Sequence, residues 1–370
     1  MSRTIFSLTF FALVSCANSA ADHREVALPF DGYFDASSII PDQQGVTVIG
    51  TAGNTHDQVL YRYSKEGAFV WRFTATPNDY DLIPKTVIKD VVHGDQHSTI
   101  CINHESTEKI PEAFSTIVIA DQSGLVKTSQ KLSFASSGYS AFVLEKCVPS
   151  GADLMAVGFA RTPLFAPTAL GPHRDYWIAS IDKKLSLTKL VMIESKLPTI
   201  YQMVAAQRAG AGMVLVATDT HTTELVLIDE QANVKARKLV AGGLRLTDFR
   251  NGIELILGHD RTVKKMKFDN ALGLLSDQSF ALESARNVQF LAADQTGLRY
   301  IGNRVIGRKT MMVDGHIGAD GRRREREVSW WQGHTEFSFA MAKDDKGNLL
   351  MVRRELGASG VNRNYFVEMK

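Results

Sequence analysis

The stretch Gly45–Phe73, GVTVIGTAGNTHDQVLYRYSKEGAFVWRF, decides how the whole chain is read. Val46–Gly50 is a short apolar run bounded by glycines and reads as one strand. A polar connection leads to a second strand at Gln58–Tyr63, then a tight Lys-Glu-Gly turn, then a third strand at Phe69–Phe73.

Looser copies recur to the C-terminus. Beside GVTVIGTA from Gly45 stand HSTICINH from His97, ADLMAVGFA from Ala152 and GMVLVATD from Gly212. GIELILGH from Gly252, GLRYIGNR from Gly297 and GNLLMVRR from Gly347 complete the set. Their starts lie about 40 to 60 residues apart, the spacing of four-stranded propeller blades. Each follows a Gly-containing turn, and before the turn lies an apolar run such as Tyr139–Leu144, Tyr201–Ala205 or Phe337–Ala342. A further strand comes after each, for example Ser115–Ala120, Tyr176–Asp182, Glu224–Asp229 or Tyr365–Met369. Turns such as Asp121–Gly124 and Glu230–Asn233 then lead to a fourth. No amphipathic helix longer than a turn or two is apparent.

The last copy stops at Lys370 with no fourth strand, while Glu25–Phe30 (EVALPF) precedes the first copy and has no role within it. A ring closed by its own termini removes an exposed sheet edge. We therefore expect Glu25–Phe30 to be the outermost strand of the seventh blade, where Pro29 is tolerated because an edge strand lacks ladder bonds on one side. The expected fold is all-β: a single seven-bladed β-propeller over residues 25–370. Uneven spacing in the middle copies leaves six or eight blades open.

In the run from Val46 to Phe73 the sequence resembles the repeat of secreted bacterial β-propellers, a glycine-ended strand followed by D-x-hydrophobic-x-R-x-D-x-x-G-x-x-x-W. Leu60, Arg62, Gly67 and Trp71 match it in one blade, with Asp57 one residue ahead of the pattern's first Asp. The resemblance implies an architecture and names no activity, since one fold hosts many functions.

The beginning of the chain reads as an export signal. Arg3 precedes the apolar run Ile5–Val14, too short to span a bilayer, and small residues follow. Two cleavage readings compete. Leu13-Val14-Ser15-Cys16 looks like a lipobox, which would lipidate Cys16; Ser19-Ala20-Ala21 looks like an ordinary signal-peptidase site. Either places the protein in the periplasm or on the outer membrane as a lipoprotein, with no transmembrane span. Cys101 and Cys147 then remain, free to pair in an oxidising compartment or to pack as separate small apolar groups. A formal charge of +2 and 22% charged residues speak against a nucleic-acid partner.

Candidate chemistry gathers on the face carrying the loops between second and third strands. Three are long: Asn103–Phe114, Arg161–Asp175 and Arg354–Asn364. The second strands are expected to end in His104, Arg161, His259, Arg304 and Arg353, with His173, Arg174, Arg308 and Arg354 close by. Converging guanidinium groups suit an anionic ligand or the acidic patch of a protein partner. The plainer alternative pairs each with a local carboxylate (Asp175, Asp260, Glu105 or Glu355). Trp330, Trp331 and His334, between blades six and seven, could anchor a partner or fill the inter-blade wedge. His104, His221 and His259 occupy comparable places, yet no short-interval ligand pair supports a metal, and no cofactor is expected. There is no G-x-S-x-G elbow and no P-loop. Arg322–Glu327 reads as an outer strand blunted by charge. The expected function is non-catalytic recognition in the cell envelope, by a monomer of accessory or immunity type. An envelope lyase or hydrolase acting on an acidic polysaccharide, and a structural scaffold, are the alternatives.

Overall fold

The structure is a computed structural model. It describes residues 23–31, 33–53, 57–75, 86–104, 114–132, 141–150, 153–161, 174–200, 202–209, 212–249, 252–259, 261–282, 288–293, 296–306, 309–328, 335–344, 346–356 and 362–369.

Seven four-stranded antiparallel sheets form the ring of a seven-bladed β-propeller. In chain order the first blade holds β2 (Phe34–Asp42), β3 (Gly45–Ala52), β4 (Asp57–Ser64) and β5 (Phe69–Ala75). The second holds β6 (Thr86–His93), β7 (His97–His104), β8 (Phe114–Asp121) and β9 (Val126–Leu132); the third β10 (Ala141–Ser150), β11 (Asp153–Arg161), β12 (Arg174–Ile181) and β13 (Leu187–Ile193). The fourth holds β14 (Gln202–Ala209), β15 (Gly212–Thr218), β16 (Thr222–Asp229) and β17 (Val234–Ala241); the fifth β18 (Gly243–Asp248), β19 (Ile253–His259), β20 (Thr262–Phe268) and β21 (Leu274–Ala281). The sixth holds β22 (Val288–Ala293), β23 (Gly297–Ile306), β24 (Lys309–Gly318) and β25 (Arg323–Glu327).

The seventh blade is built from both ends of the chain. Its order is β26 (Thr335–Lys343), β27 (Leu349–Leu356), β28 (Asn362–Met369) and then β1 (His23–Asp31). β1 lies antiparallel to β28, with His23 opposite Met369 and Ala27 opposite Tyr365. Leu28 enters the core beside Phe34, Val352 and Phe366. Arg353 reaches across β28 to Glu25, 2.7 Å between Nη2 and Oε2, so the seam has a polar clasp as well.

Between neighbouring sheets lie apolar clusters; one joins Ile49, Leu60 and Trp71 of the first blade to Ile88, Ile100 and Val118 of the second. Cys101 on β7 and Cys147 on β10 form a disulfide, with Cα atoms 6.6 Å apart, that ties the second blade to the third. Among the described residues no helix is long and apolar enough to cross a membrane.

One five-residue turn recurs seven times: Ser64–Ala68, Asp121–Leu125, Asp182–Ser186, Asp229–Asn233, Asp269–Gly273, Gly318–Arg322 and Asp344–Asn348. Each first residue donates its N–H to the carbonyl of the fifth and accepts from the N–H of the fourth. The Asp residues at the head of the turn also accept backbone N–H groups two and four positions on, as Asp182 does from Lys184 and Ser186. The fourth position needs a left-handed backbone. Gly124 supplies it at φ 81°, and a Cβ there would lie 2.9 Å from the Trp71 ring. Leu185 and Leu272 adopt it at φ 64° and 65°. Both side chains are buried, which offsets the roughly 1–2 kcal/mol that such a conformation costs a residue with a Cβ.

Candidate functional site

Two faces follow from strand order. One carries the loops between second and third strands and the connections between blades; the other carries the tight turns just described. Residues 105–113, 162–173 and 357–361, the interiors of the three long loops, lie outside the described residues, as do His173, Arg308, Trp330, Trp331 and His334.

His104, Arg161 and His259 end their second strands, as expected. Arg304 and Arg353 do not, because β23 and β27 run on to Ile306 and Leu356. Arg304 therefore sits opposite Met311 and Arg353 opposite Tyr365, inside the ladder and not at its lip. Arg353 packs over the Tyr365 ring at 4.5 Å while holding Glu25, so its place is in the closing seam. Arg354 lies 4.1 Å from the Tyr33 ring, which is exposed just before β2.

In the third blade the ladder sets Arg161 directly opposite Arg174, at the last rung before residues 162–173. Residues of like charge at one rung of an antiparallel ladder are an unfavourable pairing. One rung further in, the Asp175 carboxylate accepts a hydrogen bond from Ser195 N at 3.2 Å.

His104 is a brace between strands. Its Nδ1 lies 3.1 Å from Thr86 Oγ1 on β6 and its Nε2 3.1 Å from Thr116 Oγ1 on β8, and Phe114 stacks on the ring. Burial, assisted by the Lys131 charge, pushes its pKa down to about 4. The ring is neutral at pH 7 with both nitrogens engaged. His221 and His259, from neighbouring blades, approach to 6.3 Å between ring centroids. Among the described residues no group of three or more His, Cys, Asp and Glu side chains is arranged to hold a metal ion.

The channel wall carries groups that no sequence motif marks. Each innermost strand is interrupted by a bulge; in the first five blades the extra residue is Ser37, Lys89, Glu145, Val204 or Arg245, all at one register position, and in the sixth it is Leu291, two residues nearer the tight turns. Bulges re-aim side chains and recur beside binding sites. Lys89 Nζ pairs with Glu145 at 3.0 Å, and Lys146 Nζ lies 3.4 Å from Asp90. Arg245 is exposed, packs over Gly258, and makes no ion pair or hydrogen bond within the described residues. The sequence did hold a signal: Lys89-Asp90 and Glu145-Lys146 interrupt apolar inner strands of successive blades.

Two buried polar networks hold blades together. Fully buried Glu224 accepts from Tyr176 Oη at 2.7 Å and Ser195 Oγ at 3.0 Å, receives Lys196 N, and pairs with Arg237. In the first blade Arg62 grips both Asp42 oxygens at 2.8 Å, and Thr47 Oγ1 meets His93 Nε2 at 2.7 Å. Burial and the Arg62 charge push the His93 pKa down to about 4. Burial alone would raise the Asp42 carboxyl, but Arg62 and the Gln44 N–H outweigh it and hold it low.

No protein-family model matches the chain, and no curated protein matches it. Solved structures do. A catalytically inactive virginiamycin B lyase from Staphylococcus aureus, with quinupristin, is 11% identical at a TM-score of 0.52, covering 94% of this chain and 99% of that one. A Bacteroides fragilis protein described as a 6-phosphogluconolactonase is 12% identical at a TM-score of 0.51, covering 87% and 94%. A Pyrococcus horikoshii acylaminoacyl peptidase is 11% identical at a TM-score of 0.48, and the chain spans 52% of its length. At such identities the likeness to the first two is one of fold alone.

Proposed function

We propose that the chain is a non-catalytic binding protein of the bacterial cell envelope that takes an anionic ligand, or the acidic patch of a protein partner, on its loop-rich face. The observation that carries this is the Arg161–Arg174 rung at the base of residues 162–173. Arg245, exposed in the channel strand without a carboxylate partner within the described residues, adds positive charge to the wall below. Against a catalytic role for His104 stands its geometry, since both ring nitrogens are bound to threonine hydroxyls. Export is supported by residues 1–21 as a signal and by the Cys101–Cys147 disulfide, a bond typical of oxidising compartments.

Titration of the purified protein with polygalacturonate, as a soluble carboxylate probe, and recovery of partners from an envelope fraction test the reading. Arg161→Gln/Arg174→Gln should weaken either interaction by on the order of tenfold or more, as expected for losing charged hydrogen-bond donors. Binding that is unaltered by the double substitution would refute it, and so would the absence of any bound anion or partner.

A further inference from the structure

The outer strands carry a pattern that ring-building does not explain. Their first residues fall at one register position in five successive blades: Phe69 opposite Tyr63, Val126 opposite Ala120, Leu187 opposite Ile181, Val234 opposite Ile228 and Leu274 opposite Phe268. All five are large and apolar, and all are 42–47% exposed. Val70, Leu125 and Leu275 beside them are 48%, 61% and 60% exposed. Exposed apolar side chains scattered singly are ordinary, but a contiguous set marks a contact surface. Elsewhere these strands show mostly polar residues to solvent, as in VKTSQKL of β9.

Blades repeat by rotation about one axis, so equivalent positions share one height. The five residues therefore lie on one level of the rim, at the face of the tight turns and opposite the loop-rich face. Such a rim fits a flat partner. At the same position the sixth blade has Arg323 and the seventh His23. Arg322 and Arg324 flank the first, both exposed, and Arg24 follows the second; Arg322 lies 3.4 Å from Asp320, Arg323 pairs with Glu325, and Arg24 lies 3.9 Å from Glu368. An apolar arc completed by a basic sector suits the interface of a bilayer with anionic headgroups. The N-terminal segment also leads here. His23, the first described residue, is on this rim opposite Met369, and six residues (17–22) separate it from Cys16, roughly 20 Å when extended.

We propose that the tight-turn rim of blades one to five rests on a lipid surface, seated by the apolar arc and oriented by the arginines of blade six. The loop-rich face then points away from the membrane. This goes beyond ligand capture by that face and stands or falls separately from it.

The test uses the full protein as processed in the envelope, with vesicles of phosphatidylethanolamine and phosphatidylglycerol. A nitroxide on Phe69→Cys should be open to oxygen and shielded from aqueous nickel, whereas one on Leu239→Cys, exposed higher on β17, should stay in water. Leu125→Ser/Leu187→Ser/Leu275→Ser should weaken vesicle partitioning by on the order of tenfold. Leu190→Ser/Leu239→Ser, exposed residues away from the rim, should leave it unchanged. Equal nickel access at both labels would overturn the proposal. So would partitioning unaffected by the triple substitution, or rim substitutions that instead abolish self-association or capture of a protein in the absence of lipid.

Discussion

Leu28→Ala puts the closing seam to a quantitative test. Leu28 is 5% exposed on β1 and packs in one cluster with Phe34 of the first blade and Val352 and Phe366 of the seventh. Truncating a buried leucine costs about 2.7–5.0 kcal/mol when the cavity stays open, and less where the strand can settle. β1 is an edge strand with one neighbour, so the low end applies, about 2–3 kcal/mol. Ala27→Ser, one residue away on the exposed side, provides the matched control and should stay within about 0.5 kcal/mol of the parent. Glu25→Gln removes the charge that Arg353 holds and should cost about 1.5 kcal/mol. Urea unfolding followed by circular dichroism and tryptophan fluorescence measures all three. If Leu28→Ala lost no more than Ala27→Ser, β1 would not be part of the cooperative ring, and the closure argument would fall.

Two other outcomes are expected. Cutting the Cys101–Cys147 link, which encloses a loop of separation 46, by Cys101→Ala/Cys147→Ala should destabilise the fold by about 4 kcal/mol from loop entropy, read as a drop in urea midpoint; an unchanged midpoint would show that the bond contributes nothing. Stability should also fall as pH falls. The unfolded chain protonates His93 near 6.5, while the folded ring keeps it neutral to about 4, so its stabilisation is complete above the first value and lost between the two. The ceiling for His93 is about 3 kcal/mol, and His104, held down to about 4 in the same way, adds a share over the same range. His93→Gln should flatten the profile between these values, and an equally steep profile in that variant would assign the acid sensitivity elsewhere.

Much of the ring was legible because its signals are local. Glycine-led apolar runs, Asp-headed turns and an unpaired terminal strand each announce themselves within a few residues. The reach of β23 and β27 was not, since a strand's length depends on which partner continues the ladder. That error placed Arg304 and Arg353 at a lip they do not occupy. The channel bulges escaped for a related reason. One extra residue in an eight-residue strand leaves the apolar count intact, and its effect shows only when Lys89 is seen against Glu145 from the next blade. Glu224 entered the sequence reading only as the first residue of a strand, and its fully buried position shows it to be the joint between two blades.

The seam at β1 and β28 also sets a timetable. The first described strand pairs with the last, so no shorter stretch of the described chain can close the circle. Contacts that far apart in sequence make for slow folding. Until Met369 is available, Leu28 and the edge of β28 stay uncovered, and a nascent chain carries an adhesive end at each terminus. A ring built this way takes its final shape only once its last strand is in place.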